Sequence, residues 1–298
     1  MDGVLLIDKP AGPTSHDVVA RLRRSSRERS IGHTGTLDPR ATGLLPLVVG
    51  RATRLAALLS GKDKTYQATI RLGWSTDTDD ADGAALGEPT RARPEPDTLR
   101  EVLAGFVGSF EQVPPRHSAK KLHGRRAYDL ARRRQEFDLT PVPVTVSRLE
   151  LVGRTDETID LEVAASAGFY VRALARDLGA RLGCGAHLAG LRRVRSGTFD
   201  ISQAVSLDEA EQLGPGVESR LIPPAAALAD LPAVELTDGG LKRAVHGNPV
   251  GPEHLAGRWV PPATSEGPVR LLAGDGRLVG LARSRGGALH PAVVLGYD

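Results

Sequence analysis

Alternating apolar and polar positions predict a half-buried β-strand over residues 64–72. Tyr66, Ala68, Ile70 and Leu72 alternate with polar side chains, which is the two-residue period of a strand with one face in a core. Tyr66 is therefore expected on the apolar face of this strand.

Helical spacing appears first at Val18, Val19 and Leu22. Thr14 or Ser15 is expected to cap this helix, which should end near Ser25. Short apolar runs predict buried strands over 4–10, ending at a turn, and over 44–49, and a further strand is expected over 158–166. Helices are expected over 52–59, 99–106, 170–182 and 237–247. The acidic stretch 74–97, rich in Gly and Pro, is interpreted as a loop of solvated turns and backbone caps.

A Pro- and Ala-rich segment, 221–232, separates the last part of the chain from the rest. Beyond it, Asp275-Gly276 lies between two apolar runs and predicts a tight β-hairpin. The expected domains are residues 1–230 and a small β-rich module over 231–298. The fold class is therefore α+β.

Composition indicates an ordinary globular protein of 298 residues, with 40% hydrophobic and 25% charged residues. The sequence shows no targeting segment and no run long enough to span a membrane, so we expect a cytoplasmic protein. Its single cysteine, Cys184, is expected to be a buried thiol. The eight histidines lack metal-ligand spacing, so no metal site is expected.

The net charge of +3 is small, but the basic residues are clustered. Eight of them lie between residues 116 and 134 against one acid: Arg116, Lys120, Lys121, Arg125, Arg126, Arg132, Arg133 and Arg134. Two further clusters lie at 21–29 and 192–195. Any one cluster could be a solvated face, but three together favour binding of nucleic acid phosphates.

The candidate chemistry lies in Gly32-His33-Thr34-Gly35-Thr36-Leu37-Asp38-Pro39. Pro39 disfavours a helical backbone at Asp38, and the glycines allow sharp bends. The run therefore predicts a loop that presents one carboxylate. Taken alone, this pattern leaves a lyase, a hydrolase and a plain turn open.

Five segments occur in this order along the chain: Lys9-Pro10-Ala11-Gly12-Pro13-Thr14-Ser15, the Asp38 loop, Tyr66 with Gly73 and 76–79, residues 112–121 with Gly124 and Tyr128, and 168–172. Together they resemble the bacterial TruB family of tRNA pseudouridine synthases. The resemblance covers essentially the whole chain. It implies a pseudouridine-synthase fold with a mixed, largely antiparallel central sheet flanked by helices. The tail resembles the family's small, β-barrel-like PUA module.

The resemblance also implies the activity, which is isomerisation of uridine 55 in the T-loop of tRNA without cofactor or metal. Asp38 would be the catalytic residue, acting as a nucleophile or stabilising and deprotonating a sugar intermediate. Arg172 is expected to pair with Asp38, while Tyr66 stacks on the base. Tyr170 and Leu191 are expected to line the base pocket.

RNA contacts follow from the same resemblance. His33 is expected to take the place of the flipped base in the stack. Lys9 and an arm at about 111–138 are expected to grip the T-arm backbone; the arm residues are Lys120, Lys121, Arg125, Arg126 and Arg132. Phe169 departs from the family's usual Thr at that position, and Ala167 from its basic or polar residue, so we expect altered packing beside the pocket.

Two alternatives remain at this stage. The basic clusters and β-rich tail also suit a noncatalytic RNA-binding protein or RNA chaperone. A guide-RNA-dependent pseudouridine synthase is the other, although the basic segment beginning at Gln112 favours a stand-alone enzyme that needs no guide RNA. We expect a monomer.

Overall fold

The computed structural model describes residues 1–90, 94–116, 139–257 and 267–297, and the backbone of 121–122 and 125–126. Strands in chain order are β1 Gly3–Lys9, β2 Ile31–His33, β3 Thr42–Val49, β4 Lys64–Leu72, β5 Ser75–Thr76, β6 Ala85–Leu86, β7 Gly108–Gln112, β8 Lys121–Leu122, β9 Arg125–Arg126, β10 Val142–Arg154, β11 Thr158–Ala165, β12 Ala186–Ser196, β13 Phe199–Asp200, β14 Val205–Ser206, β15 Ala233–Glu235, β16 Val269–Leu272, β17 Leu278–Arg285 and β18 Ala288–Val294. The α-helices are α1 Ser15–Ser26, α2 Ala56–Ser60, α3 Pro96–Ala104, α4 Val171–Arg181, α5 Leu207–Leu213, α6 Pro224–Ala227 and α7 Asp238–Val245. Short 3₁₀ turns span Gly50–Leu55, Ile201–Gln203, Gly214–Arg220 and Pro252–His254.

The chain divides into two compact units. The first comprises Met1–Asp38, Leu45–Ser60 and Thr198–Asp298, and the second comprises Pro39–Leu44 and Gly61–Gly197. The expected boundary at residue 230 falls inside the first unit and stays a prediction.

In the first unit, β1 lies between β14 and β3 and runs parallel to β14. Helix α1 begins as predicted: Thr14 accepts a hydrogen bond from the Asp17 backbone, and Asp17 accepts one in return from the Thr14 backbone. This reciprocal pair satisfies two amides that the first helical turn leaves without partners. The apolar face of α1, with Val18 and Leu22, is buried.

The C-terminal part of the first unit is a four-stranded sheet in the order β15-β16-β17-β18. The predicted hairpin at Asp275-Gly276 is confirmed, because β16 and β17 pair antiparallel on either side of it. The sheet is open in the described residues, which corrects the expected barrel-like form. Isolated bridges, at Val250 to Leu289 and at Leu236 to Leu255, lie outside these ladders.

The second unit contains a largely antiparallel sheet in the order β12-β4-β11-β10-β7, with β3 pairing parallel to β12 at Thr42 and Gly43. The mixed sheet and the α+β class are as predicted, and β4 has the predicted bounds. Tyr66 belongs to the core beneath this sheet, as do Phe169 and Cys184. Burial raises the pKa of the Cys184 thiol, consistent with the expected buried cysteine.

Two expectations about local structure were wrong. Stretch 74–97 is not only loop, because it contains β5, β6 and the start of α3 at Pro96. Residues 50–55, of which 52–55 were expected to be α-helical, form a 3₁₀ turn before the short α2.

In the described residues, no helix is long and apolar enough to cross a membrane.

Candidate active site

Hydrogen bonds hold the loop immediately before Asp38. The Ser15 hydroxyl donates to the carbonyl of Leu37 at 3.1 Å and accepts from its amide at 2.9 Å. Earlier in the loop, the Thr34 amide and hydroxyl both donate to the Pro46 carbonyl, at 3.1 and 3.3 Å. Ser15 and Thr34 are buried. Asp38 therefore follows a backbone whose polar groups are bound to fixed partners.

The segment that follows Asp38 is fixed within the second unit. Thr42 donates to the Leu191 carbonyl at 3.5 Å. Gly43 has a φ of +98°, and a Cβ there would lie 2.2 Å from the backbone oxygen of Arg193. Only glycine accommodates both the left-handed backbone and this close approach. Leu191 is half-buried and packs against the core. Its expected place in the base pocket stays a prediction.

Tyr66 is held by a buried arginine. It lies opposite Arg193 in the antiparallel pair of β4 and β12. The side chains of these two residues are hydrogen-bonded, and the Arg193 Nε donates to the Leu44 carbonyl at 2.7 Å. Burial lowers the pKa of Arg193, whereas its interaction with Tyr66 raises it. A guanidinium that is only 1% exposed thus joins the expected base platform to the strand that follows the Asp38 loop.

Arg193 also corrects the expectation of a third phosphate-binding cluster. Arg192, Arg193 and Arg195 lie on β12, and the buried Arg193 points into the protein. At least this member therefore has a structural partner in place of a phosphate. In the first cluster, Arg21 likewise has protein partners, because it pairs with Glu211 and Asp208.

Lys64 provides a pH-dependent prediction. Burial, together with the nearby Arg193 charge, lowers its pKa to about 8, although Asp63 opposes this shift. The buried charge costs stability at pH values below 8, where both folded and unfolded chains are protonated. Between pH 8 and 10.5 the folded chain binds fewer protons than the unfolded one, so stability rises. Relative to Lys64→Met, the free energy of unfolding should increase by about 2–3 kcal/mol from pH 7.5 to 10.5.

Urea unfolding of both proteins across this pH range measures the effect. The methionine variant has no titrating group at this position, so it supplies the baseline. A difference between the two proteins that does not change with pH would show that Lys64 has an ordinary pKa.

Two arginines on α4 bind the acidic loop after β5. Arg172 is 7% exposed and contacts the Asp80 carboxylate and the Thr78 carbonyl, both at 3.4 Å. One turn later, Arg176 contacts the Asp79 carboxylate at 3.2 Å. Burial raises the pKa of Asp79, while Arg176 and Arg172 oppose that shift. The loop is thus an ionic partner of α4.

These ion pairs were not predicted from the sequence. The predicted backbone capping in this loop is found where Asp77 accepts a hydrogen bond from the Ala84 amide at 2.8 Å. The available signal was the spacing of Arg172 and Arg176, four residues apart on one helix face. The expected pairing of Arg172 with Asp38 stays a prediction.

Tyr170 immediately precedes α4 and is half-buried. Its backbone amide and carbonyl are both bound by the side chain of Gln112, at 2.9 and 3.1 Å. Phe169, at the position that departs from the family pattern, is buried in the core. The contact between Gln112 and Tyr170 was not predicted from the sequence.

Two of the predicted RNA contacts lie in the first unit. His33 is half-buried at the end of β2, and its ring meets that of His16 edge to face at 5.1 Å. Lys9 is 0% exposed, and its Nζ donates to the Pro10 carbonyl at 2.9 Å. This burial argues against the expected direct contact of Lys9 with RNA and favours a structural role in the loop after β1.

The arm residues fall largely outside the described part of the chain. Lys120 and Arg132 lie outside it. Lys121, Arg125 and Arg126 are in β8 and β9, which pair antiparallel. No group of three or more metal-binding side chains occurs among the described residues.

Comparison with known proteins gives consistent matches. The family model described as TruB family pseudouridylate synthase (N terminal domain) matches residues 23–171. The model for the tRNA pseudouridylate synthase B C-terminal domain matches 172–215, and that for pseudouridine synthase II TruB, C-terminal, matches 232–295.

Curated relatives match over nearly their whole length. The tRNA pseudouridine synthase B of Thermobifida fusca (strain YX) is 43% identical over 98% of this chain and 98% of its own. That of Dechloromonas aromatica (strain RCB) is 43% identical over 98% of this chain and 94% of its own.

Solved structures match the fold. A Cbf5-Nop10-Gar1 complex contains a chain with a TM-score of 0.77 and 25% identity, covering 98% of this chain and 84% of that one. An H/ACA RNP bound to a substrate RNA containing 2'-deoxyuridine gives a TM-score of 0.74 at 24% identity, covering 99% and 85%.

Proposed function

The chain belongs to the TruB family of pseudouridine synthases, and on this premise we propose that it isomerises uridine to pseudouridine at position 55 in the T-loop of tRNA. Relatives covering nearly the full chain are named tRNA pseudouridine synthase B, which supports tRNA as the substrate. The expected cytoplasmic location follows from that substrate.

The observation that carries this proposal is the fixed backbone on both sides of Asp38. Ser15 binds both polar backbone groups of Leu37, and Gly43 fits against Arg193 only as glycine. Such a loop holds a carboxylate in one place, as a catalytic group requires.

The reaction needs no change of oxidation state and no second substrate. The bond from N1 of uracil to C1′ of ribose breaks, the base turns, and C5 bonds to C1′. C5 loses a proton and N1 gains one, so the product is an isomer. A carboxylate near C1′ serves either by attacking the sugar or by stabilising and deprotonating an intermediate. Both roles require Asp38 to be ionised and close to the flipped nucleotide.

The remaining residues bind and orient the nucleotide. Tyr66, held by Arg193, stacks on the base and retains it after the glycosidic bond breaks. Tyr170 and Leu191 line the pocket, and Arg172 pairs with Asp38. His33 fills the gap left by the flipped base, which offsets part of the cost of unstacking.

Release of tritium tests this function. A tRNA transcript carrying [5-³H]uridine should lose tritium to water when incubated with the purified protein and no guide RNA, because C5 gives up its hydrogen. A transcript with cytidine at position 55 is the control. Absence of release from both transcripts supports the RNA-chaperone alternative, and release only after a guide RNA is added supports the guide-dependent one.

We further propose that the arm binds the T-arm backbone through its basic residues. Reversing the charges of Arg125, Arg126 and Arg132 to Glu should then weaken the dependence of binding on salt. Each phosphate contact contributes about 0.7–0.9 to the slope of log K against log salt, so the slope should flatten by about 2–3.

Filter binding of tRNA between 50 and 300 mM KCl measures the slope. Arg100→Glu is a matched control, because the guanidinium of Arg100 is paired with Asp97 at 2.6 Å. An unchanged slope in the triple variant would show that the basic residues of the arm do not contact the RNA backbone.

A further inference from the structure

A buried amide binds the backbone at the start of helix α4. Gln112 is 1% exposed and ends strand β7. Its Oε1 accepts from the Tyr170 amide at 2.9 Å, and its Nε2 donates to the Tyr170 carbonyl at 3.1 Å. One side chain thus meets both polar backbone groups of a single residue 58 positions away.

The chemistry of this contact is specific to an amide. The Tyr170 amide requires an acceptor and its carbonyl requires a donor, so the two ends of Gln112 have fixed roles. Tyr170 caps α4 with an extended backbone, and no side-chain cap of its own is present. Its carbonyl also receives the first helical bond, from the Leu174 amide at 3.1 Å. Gln112 therefore sets the position of Tyr170 from outside the helix.

Gln112 also marks the point where the arm leaves the sheet. It pairs with Val142 across β7 and β10, so the residues between them begin and end at neighbouring positions. The next residue, Val113, accepts a hydrogen bond from the Arg176 guanidinium at 2.8 Å. The root of the arm is thus bound to the first two turns of α4.

We propose that Gln112 is a positioning residue for pseudouridine formation, which holds Tyr170 against the target base by binding its backbone at the root of the RNA-binding arm. This inference rests on the proposed function, in which Tyr170 lines the base pocket. Gln112 acts through Tyr170 and does not touch the substrate.

Two substitutions distinguish the effect of the Gln112 hydrogen bonds from the effect of its side-chain volume. Gln112→Met keeps the length of the side chain and removes both hydrogen bonds. Gln112→Glu keeps the volume and the acceptor but sets an ionised oxygen against the Tyr170 carbonyl. Glu101→Gln is the control, because Glu101 is an exposed residue of α3 that lies outside the arm.

Both Gln112 variants should lose about 10- to 100-fold in kcat, since small displacements in an active site cost this much. KM for tRNA should change by less than about 3-fold, because only orientation within the complex is affected. Glu101→Gln should match the wild type. In a Tyr170→Ala background, Gln112→Met should lower kcat by less than about 3-fold further, because its effect passes through Tyr170.

The outcomes distinguish this inference from the function on which it rests. Full activity in Tyr170→Ala shows that Tyr170 does not line the pocket, and the proposed role of that residue then fails. If Tyr170→Ala loses activity but both Gln112 variants keep wild-type kcat, the positioning role alone is overturned. Losses that multiply in the double variant also overturn it, because they indicate a general effect on the fold.

Discussion

Asp38→Asn should abolish pseudouridine formation while leaving tRNA binding intact. The amide has nearly the same shape as the carboxylate, but it can neither attack the sugar nor accept its proton. We expect kcat to fall by at least about 1,000-fold, equivalent to about 4 kcal/mol in activation free energy. The Kd for tRNA should change by less than about 3-fold, because phosphate contacts elsewhere supply most of the affinity.

Single-turnover kinetics and filter binding on the same protein preparation measure the two effects. Asp238→Asn is the control, since Asp238 is an exposed residue in the first turn of α7. It should retain wild-type activity. A rate for Asp38→Asn above one-tenth of the wild-type value shows that this carboxylate is not the catalytic group.

Arg172→Met should produce the next largest loss, about 100-fold or more in kcat. Arg172 is buried at the start of α4 and binds Asp80 and the Thr78 carbonyl. Methionine removes the proposed partner of Asp38 and also leaves Asp80 without that guanidinium. Arg172→Lys should recover only part of the activity, because an ammonium cannot reproduce the planar set of donors.

Arg181→Met, on the last turn of the same helix, is the matched control. Arg181 binds the Gly105 carbonyl at 3.1 Å and lies over the ring of Phe106. Its loss should lower the melting temperature and leave kcat nearly unchanged. A kcat for Arg172→Met within about 5-fold of the wild type would contradict a role for Arg172 beside Asp38, the proposed catalytic residue.

The fold could be predicted where a single element carries its own pattern. Strand β4 has a strict two-residue alternation, and its predicted and observed bounds agree. Helix α1 has an amphipathic spacing and a Thr14 cap, and both are present. The hairpin at Asp275-Gly276 required only a turn sequence between apolar runs. Each signal is local, so no knowledge of the tertiary structure was needed.

Strand β12 was not predicted, because its pattern depends on distant partners. Arg193 occupies an inward position on this strand, and its charge interrupts the expected apolar alternation. The guanidinium is accommodated there by Tyr66 and by the Leu44 carbonyl. From sequence alone an arginine indicates a surface position.

The candidate site, too, has parts that local sequence patterns predict and parts that depend on residues distant in sequence. The glycines, Pro39 and the lone acid identified the loop that carries Asp38. The residues that hold the site, Ser15 and Gln112, could not be identified in this way. Each acts through hydrogen bonds to the backbone of a residue distant in sequence, Leu37 or Tyr170. Such contacts produce no periodic pattern in the sequence.

Mapping pseudouridine at single-nucleotide resolution tests the central claim most directly. An unmodified tRNA transcript is incubated with the purified wild-type chain, and in parallel with Asp38→Asn. We predict one new pseudouridine, at position 55 of the T-loop, in the wild-type reaction and none with the variant. Modification at position 55 by both proteins, or by neither, would contradict the assignment of Asp38 as the catalytic residue of a tRNA pseudouridine synthase.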